Sequence, residues 1–504
     1  MKFEVDRLLL LWPLPWWLSC CLAVLSGMAL TWAFSPYDQV ILAPMSLGIL
    51  FVLWRCQTPG RSFWLGWLFG CGWFGWGTHW VYISTHDYGG VPSAVAVALC
   101  GLLAAGMALY PALLGYVSRR WALPDVWQLG VVFPVGWVLV EWLRGWLFTG
   151  FPWFNLGYTQ LDSVLAGWAP VWGVHAVSLA LALTVGWSLL LYYQRSWRWI
   201  VPIVAVWSGG WGLQQAVWVQ SDSKPIRVSL VQANIQQDQK WQTTNYEPTL
   251  ELYWQLTHQA LDHSDLIIWP ESSIPGFYHE VKAGFLHHLT AKAQHYGVDL
   301  LLGILVETPT QDYYNAVVAL TATAPQFYYK QHLVPFSEYL PGHGLNFLVE
   351  QFNMPISGFT AGTAPQPLLK VHGWRVGISI CYEGAFGPEI MAALPEADIL
   401  VNVSNDGWFG DSIALAQNLQ MARMRALEAG RYLLRATNTG LTAVIDPQGR
   451  IQSQALPHTI ALVQDQVYAQ HGETPYLYWG NAAVVSVSLS LILMAYVSFF
   501  FRER

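Results

Sequence analysis

The chain has 504 residues, of which 54% are hydrophobic and 11% charged, where an ordinary soluble protein carries about 25% charged residues. That balance excludes a simple cytosolic enzyme, and 30 tryptophans and 23 tyrosines exclude a disordered chain. The net charge of −7 gives no sign of nucleic-acid binding.

In chain order, apolar runs approaching or exceeding the roughly 20 residues that a helix needs to cross a bilayer fall near Leu8 to Phe34, Val40 to Trp54, Phe63 to Ser84, Val91 to Val117, Val126 to Leu147, Pro170 to Tyr193 and Trp199 to Trp218, with an eighth near Trp479 to Phe501. The second is short and the first contains Pro13 and Pro15. A signal peptide leading into a soluble protein is excluded by the six further spans that precede the middle of the chain. Lys2, Arg7, Arg55, Arg61, Arg119, Arg120, Arg195, Arg198, Arg502 and Arg504 all fall on one side of an eight-span arrangement. The opposite loops, around Ser35 to Gln39, His86 to Gly90 and Thr149 to Ala169, contain no Lys or Arg. Since cationic residues accumulate in cytoplasmic loops, this places both termini in the cytoplasm and, for a bacterial inner membrane, the large domain in the periplasm.

Within the spans, Gly66 and Gly70 have the spacing that lets helices approach closely, and Gly72, Gly75 and Gly77 follow. Glu141 and Arg144 lie three residues apart on one helix face, a spacing that permits pairing. Such a pair marks either a polar cavity or a structural contact near the outer headgroups.

Between Lys224 and Arg450 stand 13 of the 24 basic residues, and between Asp222 and Glu473 stand 23 of the 31 acids. This middle segment therefore reads as an acidic, water-soluble domain between hydrophobic flanks. The division expected is residues 1–219 as a seven-helix membrane region, 220–475 as a soluble domain, and 476–504 as a last membrane helix with a tail. The domain alternates strands (Val228 to Ile235, Asp265 to Trp269, Val298 to Val306, Asn315 to Thr321, Gln326 to Tyr329, Val376 to Ile380, Ile399 to Val403) with helical patterns (Leu250, Trp254, Thr257, Leu261; then Val281, Phe285, Leu289, Ala293, with Gly297 as the stop). That is a layered α/β pattern.

Of six cysteines, Cys20, Cys21, Cys56, Cys71 and Cys100 lie in or beside the spans, and Cys381 alone falls in the soluble domain. A lone thiol is either a small buried hydrophobe or a nucleophile. Its neighbourhood favours the second. Glu271, Lys330 and Cys381 each end an apolar strand-like run, and ligands of α/β sheets collect at the strands' carboxyl ends. A carboxylate to take the thiol proton, an ammonium to stabilise an oxyanion and a thiolate to attack a carbonyl would make an acyl-transfer site.

The segments Trp269-Pro270-Glu271-Ser272, Lys330-Gln331-His332-Leu333-Val334-Pro335-Phe336 and Cys381-Tyr382-Glu383 resemble the Glu-Lys-Cys motifs of the nitrilase superfamily. Together with the spans, Ser404-Asn405-Asp406-Gly407-Trp408-Phe409-Gly410, Met421 to Glu428, Glu141 to Gly145 and Gly150-Phe151-Pro152-Trp153, the chain is similar over nearly its whole length to the bacterial apolipoprotein N-acyltransferase family. Ser337 departs from that pattern, which has glycine before the second glutamate.

The resemblance implies eight transmembrane helices plus an extracytoplasmic nitrilase-like α-β-β-α sandwich. It also implies transfer of a fatty acyl chain from a phospholipid, typically phosphatidylethanolamine, through a Cys381 thioester to the α-amino group of a diacylglyceryl-cysteine lipoprotein. By the same correspondence Glu271 is the general base, Lys330 the oxyanion-stabilising cation, Cys381 the nucleophile and Glu338 the carboxylate that holds Lys330. Trp241, Tyr382, Glu383 and Trp408 form the substrate-side set, with the Tyr382 N–H as a second oxyanion donor. The apolar stretch Asn346 to Phe359 is either a lipid-contacting lid or a short core helix. Histidine spacing gives no metal motif and no phosphate-binding glycine loop is present, so neither a metal nor a nucleotide cofactor is expected. A membrane-tethered amidase and an inactive nitrilase-like scaffold are the alternative readings. Eight spans exceed what a tether needs, and the retained Glu271, Lys330 and Cys381 argue against the scaffold.

Overall fold

The computed structural model describes residues 14–121, 123–340 and 358–500. The chain forms two compact units, one of Met1–Val81, Ala94–Ala216 and Trp479–Arg504, the other of Tyr82–Ser93 and Val217–Tyr478.

The first unit is helical: α1 (Trp16–Thr31), α2 (Leu42–Arg55), α3 (Pro59–Gly77), α4 (Ser93–Met107), α5 (Leu109–Arg120), α6 (Phe133–Arg144), α7 (Ala169–Gln194) and α8 (Ile200–Gln214). Among the described residues, four helical stretches are long and apolar enough to cross a membrane: Ser93–Arg120, Asp125–Arg144, Val164–Gln194 and Pro475–Ser498. The glycines of α3 are packing positions. A Cβ on Gly66 would stand 2.5 Å from the Pro111 carbonyl oxygen, and one on Gly70 would stand 2.5 Å from Ala108 Cα, so α3 and α5 touch backbone to backbone.

Glu141 and Arg144 do not pair with each other. Arg144 donates to the carbonyls of Phe151 and Trp153 and to Asn155 Oδ1, whereas Glu141 Oε1 accepts from Trp137 Nε1 and the Leu156 N–H. Both are buried. A chain that turns back inside an apolar unit must satisfy its backbone groups, and these two side chains do so for the 151–156 loop.

The second unit is a sandwich of two six-stranded sheets. One has the order β12-β1-β2-β3-β4-β5, built from β1 (Val219–Gln232), β2 (Leu266–Ile268), β3 (Asp299–Glu307), β4 (Tyr313–Leu320), β5 (Gln326–Tyr329) and β12 (Ala461–Gly472). The other has the order β11-β10-β9-β8-β7-β6, from β6 (Leu369–Val371), β7 (Trp374–Ile380), β8 (Ile399–Ser404), β9 (Leu433–Thr437), β10 (Ala443–Ile445) and β11 (Ile451–Gln454). Strand period two sorts the residues into layers. Leu266 and Ile268 join Ile380, Val401, Val403 and Leu434 in the core between the sheets. Ile267 between them faces the opposite way, onto α9 (Tyr246–Ala260) and α10 (His287–His295). On the second sheet Leu400 and Leu433 pack against α11 (Ala414–Ala429). Each such aliphatic side chain contributes roughly 1.5–3 kcal/mol on burial, and a one-residue slip would exchange the layers, so register is firmly set.

The expected helix over Val281 to Ala293 is interrupted: a π-helical turn, Lys282–Leu286, precedes α10, and Gly297 (φ +71°) terminates the segment. The lid-or-helix stretch Asn346 to Phe359 lies outside the described residues apart from its last two positions.

Close approach to the end of β2 depends on one glycine in β3. A Cβ on Gly303 would stand 2.3 Å from the Pro270 carbonyl oxygen and 2.6 Å from Glu271 Cα. Gly303→Ala is expected to destabilise the protein by about 1–3 kcal/mol, measured as a lower midpoint of thermal unfolding; an unchanged midpoint would show that the backbone has room there.

Candidate active site

Glu271, Lys330 and Cys381 follow β2, β5 and β7, so two strands of one sheet and one of the other deliver them to the same edge of the sandwich. Trp269 fixes the first. It is fully buried, its ring stacks on Tyr253 at 4.6 Å, and its Nε1 donates to Thr257 Oγ1. Two residues later the Glu271 carboxylate is held at both oxygens: Oε1 accepts from Asn315 Nδ2 at 2.6 Å, and Oε2 accepts from the Asn405 N–H at 2.7 Å.

Lys330 is 1% exposed. Its Nζ lies 2.8 Å from Glu338 Oε1 and 3.6 Å from Glu271 Oε1. Its N–H donates to the Asn315 carbonyl, so Asn315 registers the lysine with its main chain and the glutamate with its side chain. Burial works to lower the lysine's pKa. The carboxylates of Glu338 and Glu271, the Cys381 sulfur and the Glu338 hydrogen bond outweigh burial and hold it above the ordinary lysine value. The ammonium is therefore permanently charged at physiological pH. Glu338 is anchored in turn by the Val334 N–H on Oε2. The left-handed residue of that turn is Phe336 (φ +64°), and Ser337 is not in the positive-φ region, so serine in place of glycine introduces no backbone strain.

Cys381 opens a 3-10 turn, Cys381–Ala385, immediately after β7, with φ +52°. A non-glycine residue there is strained and is retained where the surroundings enforce it. Burial first, then Glu271 and Asp406, push the thiol up to about 12, against the opposing effects of Lys330 and a hydrogen bond with Ser404. The resting group is thus a thiol. Asp406 is itself neutralised by Arg435 at 2.8 Å and accepts from Ser404 Oγ.

The structure gives Glu383 a different setting from the substrate-facing one expected. It is 2% exposed; Oε1 accepts from the Gln331 and His332 N–H groups and Oε2 from the Ile380 N–H and Tyr328 hydroxyl. It therefore ties the segment after Lys330 to the elbow that carries Cys381. Burial raises its carboxyl to about 7, against the Ile380 N–H, Lys330 and the Gln331 and His332 N–H groups. Tyr382 is partly buried, packed edge-on to Phe386. Trp241 is 50% exposed. Trp408 lies in the turn Asp406–Phe409, its ring edge-on to Tyr88 at 6.3 Å.

Asn315, Gln237 and Lys240 were not legible as site residues. Asn315 could have been noticed as the one amide in the run Tyr313–Leu320. Gln237 accepts from Asn405 Nδ2, and Lys240 Nζ donates to the Glu271 carbonyl oxygen at 3.3 Å. Both sit in a loop with no periodic pattern to mark them.

A sandwich of this topology, with carboxylate, ammonium and thiol at one edge, defines a protein of the carbon–nitrogen hydrolase class, and the family model "Carbon-nitrogen hydrolase" matches residues 227–474. A second model, "Apolipoprotein N-acyltransferase N-terminal domain", matches residues 26–187. Apolipoprotein N-acyltransferases of Methylococcus capsulatus, Nitrosomonas europaea and Chromobacterium violaceum are 42%, 40% and 40% identical to the chain, over 94%, 93% and 94% of it and 94%, 95% and 92% of their own lengths. The chain belongs to the apolipoprotein N-acyltransferase family. It is an enzyme of bacterial membranes.

Two outcomes follow from the electrostatics. Because its surroundings push the thiol up to about 12, alkylation of Cys381 by iodoacetamide, followed on its peptide by mass spectrometry, should rise about tenfold per pH unit from roughly pH 7 to 10; a plateau near pH 8 would contradict a protonated resting thiol. Glu383→Gln should destabilise the protein by about 1–3 kcal/mol, since whichever oxygen became an amide NH2 would confront at least one main-chain N–H, which can only donate. A wild-type unfolding midpoint in that variant would show that the bracket is dispensable.

Proposed function

We propose that this protein transfers a fatty acyl chain from a membrane phospholipid, phosphatidylethanolamine being the expected donor, to the α-amino group of a diacylglyceryl-cysteine lipoprotein. The supporting observation is the buried Lys330 ammonium between Glu271 and Glu338, beside Cys381, in a chain of this family.

In the first half-reaction Glu271 takes the thiol proton as Cys381 Sγ attacks the ester carbonyl. Lys330 and the Tyr382 N–H stabilise the oxyanion. The C–O bond then breaks, the lysophospholipid alkoxide receives the proton from Glu271, and the acyl group stays as a thioester. In the second half-reaction the acceptor amine attacks that carbonyl and the C–S bond breaks. Its surplus proton passes through Glu271 to the departing thiolate. Dividing the transfer through a covalent intermediate lets two lipid-anchored substrates use one site in turn. Glu338 holds Lys330 charged, and Glu383 serves as a bracket for the elbow. Trp241 and Trp408, aromatic and partly exposed, line the approach of the acyl chain. The topology that suits this chemistry is multi-pass in the inner membrane, with eight spans, both termini cytoplasmic and the domain of residues 220–475 periplasmic, as the charge asymmetry of the loops favours.

Intact mass after incubation with phosphatidylethanolamine of defined chains is expected to show one hydroxylamine-sensitive acyl adduct on the wild type and none on Cys381→Ala. A diacylglyceryl-cysteine peptide should then remove the adduct and gain the acyl group on its amine. Absence of the adduct, or its discharge to water alone, would refute the transferase reading.

A further inference from the structure

Lys240 is a second buried lysine that the reaction above does not use. It is 2% exposed, and among the described residues no carboxylate lies within ion-pair distance of its Nζ. Its hydrogen bond goes to the main-chain oxygen of Glu271, 3.3 Å away. An ammonium with so little compensation is costly to bury, and a methionine would occupy similar space without the penalty. The position of the group explains why a cation stands there.

The carbonyl it contacts belongs to the peptide joining Glu271 to Ser272, and Ser272 is in the left-handed region at φ +46°. A strained link directly behind a reacting carboxylate needs an external hold. The same turn supplies a second one. Lys240 N–H closes the turn on the Gln236 carbonyl, and Gln237 Oε1 accepts from Asn405, whose main-chain N–H is the donor to Glu271 Oε2. The turn thus grips Glu271 behind, through Lys240, and in front, through Gln237 and Asn405.

We propose that Lys240 is a positioning residue for Glu271, fixing its main chain so that the carboxylate is aimed at Cys381. The proposal rests on the reading of Glu271 as general base. The charged and titrating groups facing Glu271 are Lys330, Lys240 and the Cys381 thiol; Glu271 and the Trp241 ring face Lys240. Burial lowers the Lys240 pKa to about 8, with Glu271 opposing. Its charge is therefore present at neutral pH and fades above about 8, whereas Lys330 stays charged throughout.

The test is single-turnover thioester formation by the full-length protein with phosphatidylethanolamine in mixed micelles, followed by intact mass from about pH 5.5 to 9.5, with Lys240→Met, Lys240→Arg and Glu271→Gln. Lys240→Met is expected to slow acylation roughly 10- to 100-fold at neutral pH and to remove the decline that the wild type shows above about pH 8, where Lys240 loses its charge. Lys240→Arg, charged throughout, should keep the neutral rate and hold it above about pH 8. A Lys240→Met profile that superimposes on the wild type, or that falls by one factor at every pH, overturns the proposal, as does loss of the fold in both Lys240→Met and Lys240→Gln. Wild-type acylation by Glu271→Gln would instead overturn the underlying assignment of the base, and so separates the two failures.

Discussion

A positive charge almost sealed from water dictates the architecture of this site. Burial alone would pull the pKa of an ammonium at the depth of Lys330 down. Two carboxylates at 2.8 and 3.6 Å make it keep its proton instead. Each carboxylate must then be held where the lysine needs it: Glu338 by the Val334 N–H, Glu271 by Asn315 and the Asn405 N–H. Remove any one of these and the buried charges lose the geometry that makes their burial tolerable. The polar cluster is thus a single electrostatic unit, and the sandwich is the frame that holds its members together.

The thiol is the complement of that arrangement. Cys381 is on the opposite sheet from Glu271 and Lys330, so only the face-to-face packing of the two sheets brings it to them. Glu383 links the two sheets at this edge, with donors from Ile380 on one side and Gln331, His332 and Tyr328 on the other. A thiol raised to about 12 does not react indiscriminately. A nucleophilic role for it requires proton removal in the act of attack.

The site was legible where chemistry interrupts an apolar run. Glu271, Lys330 and Cys381 each end a buried strand, and a charged or reactive residue at such a point stands out in one dimension. β1 to β5, β7 and β8 were visible for the same reason. β6 and β9 to β12 were not, being short or mixed in polarity, and their place is decided by pairing with distant strands rather than by local pattern. Glu141 and Arg144 show the limit of spacing arguments. Three residues apart on one helix, they could pair, yet the loop at 151–156 offers backbone groups that take both side chains as partners, and that demand wins. The family resemblance put Glu383 on the substrate side, but its oxygens face inward to four donors that only the folded chain assembles.

Two lysines in this site show how neighbours rather than burial alone decide what a group can do. Lys240 and Lys330 are equally withdrawn from water. Lys330 faces two carboxylates and is held charged; Lys240 faces a main-chain carbonyl, feels Glu271 more weakly, and is pulled down to about 8. A fixed cation is what an oxyanion requires, since its stabilising effect must not vary with pH. A cation that is charged only below about pH 8 suits a different task, because it grips the main chain of Glu271 under physiological conditions without adding a second permanent charge to the pocket. The same residue type, at the same depth, is thereby split into two electrostatic functions by the difference between a carboxylate and an amide oxygen.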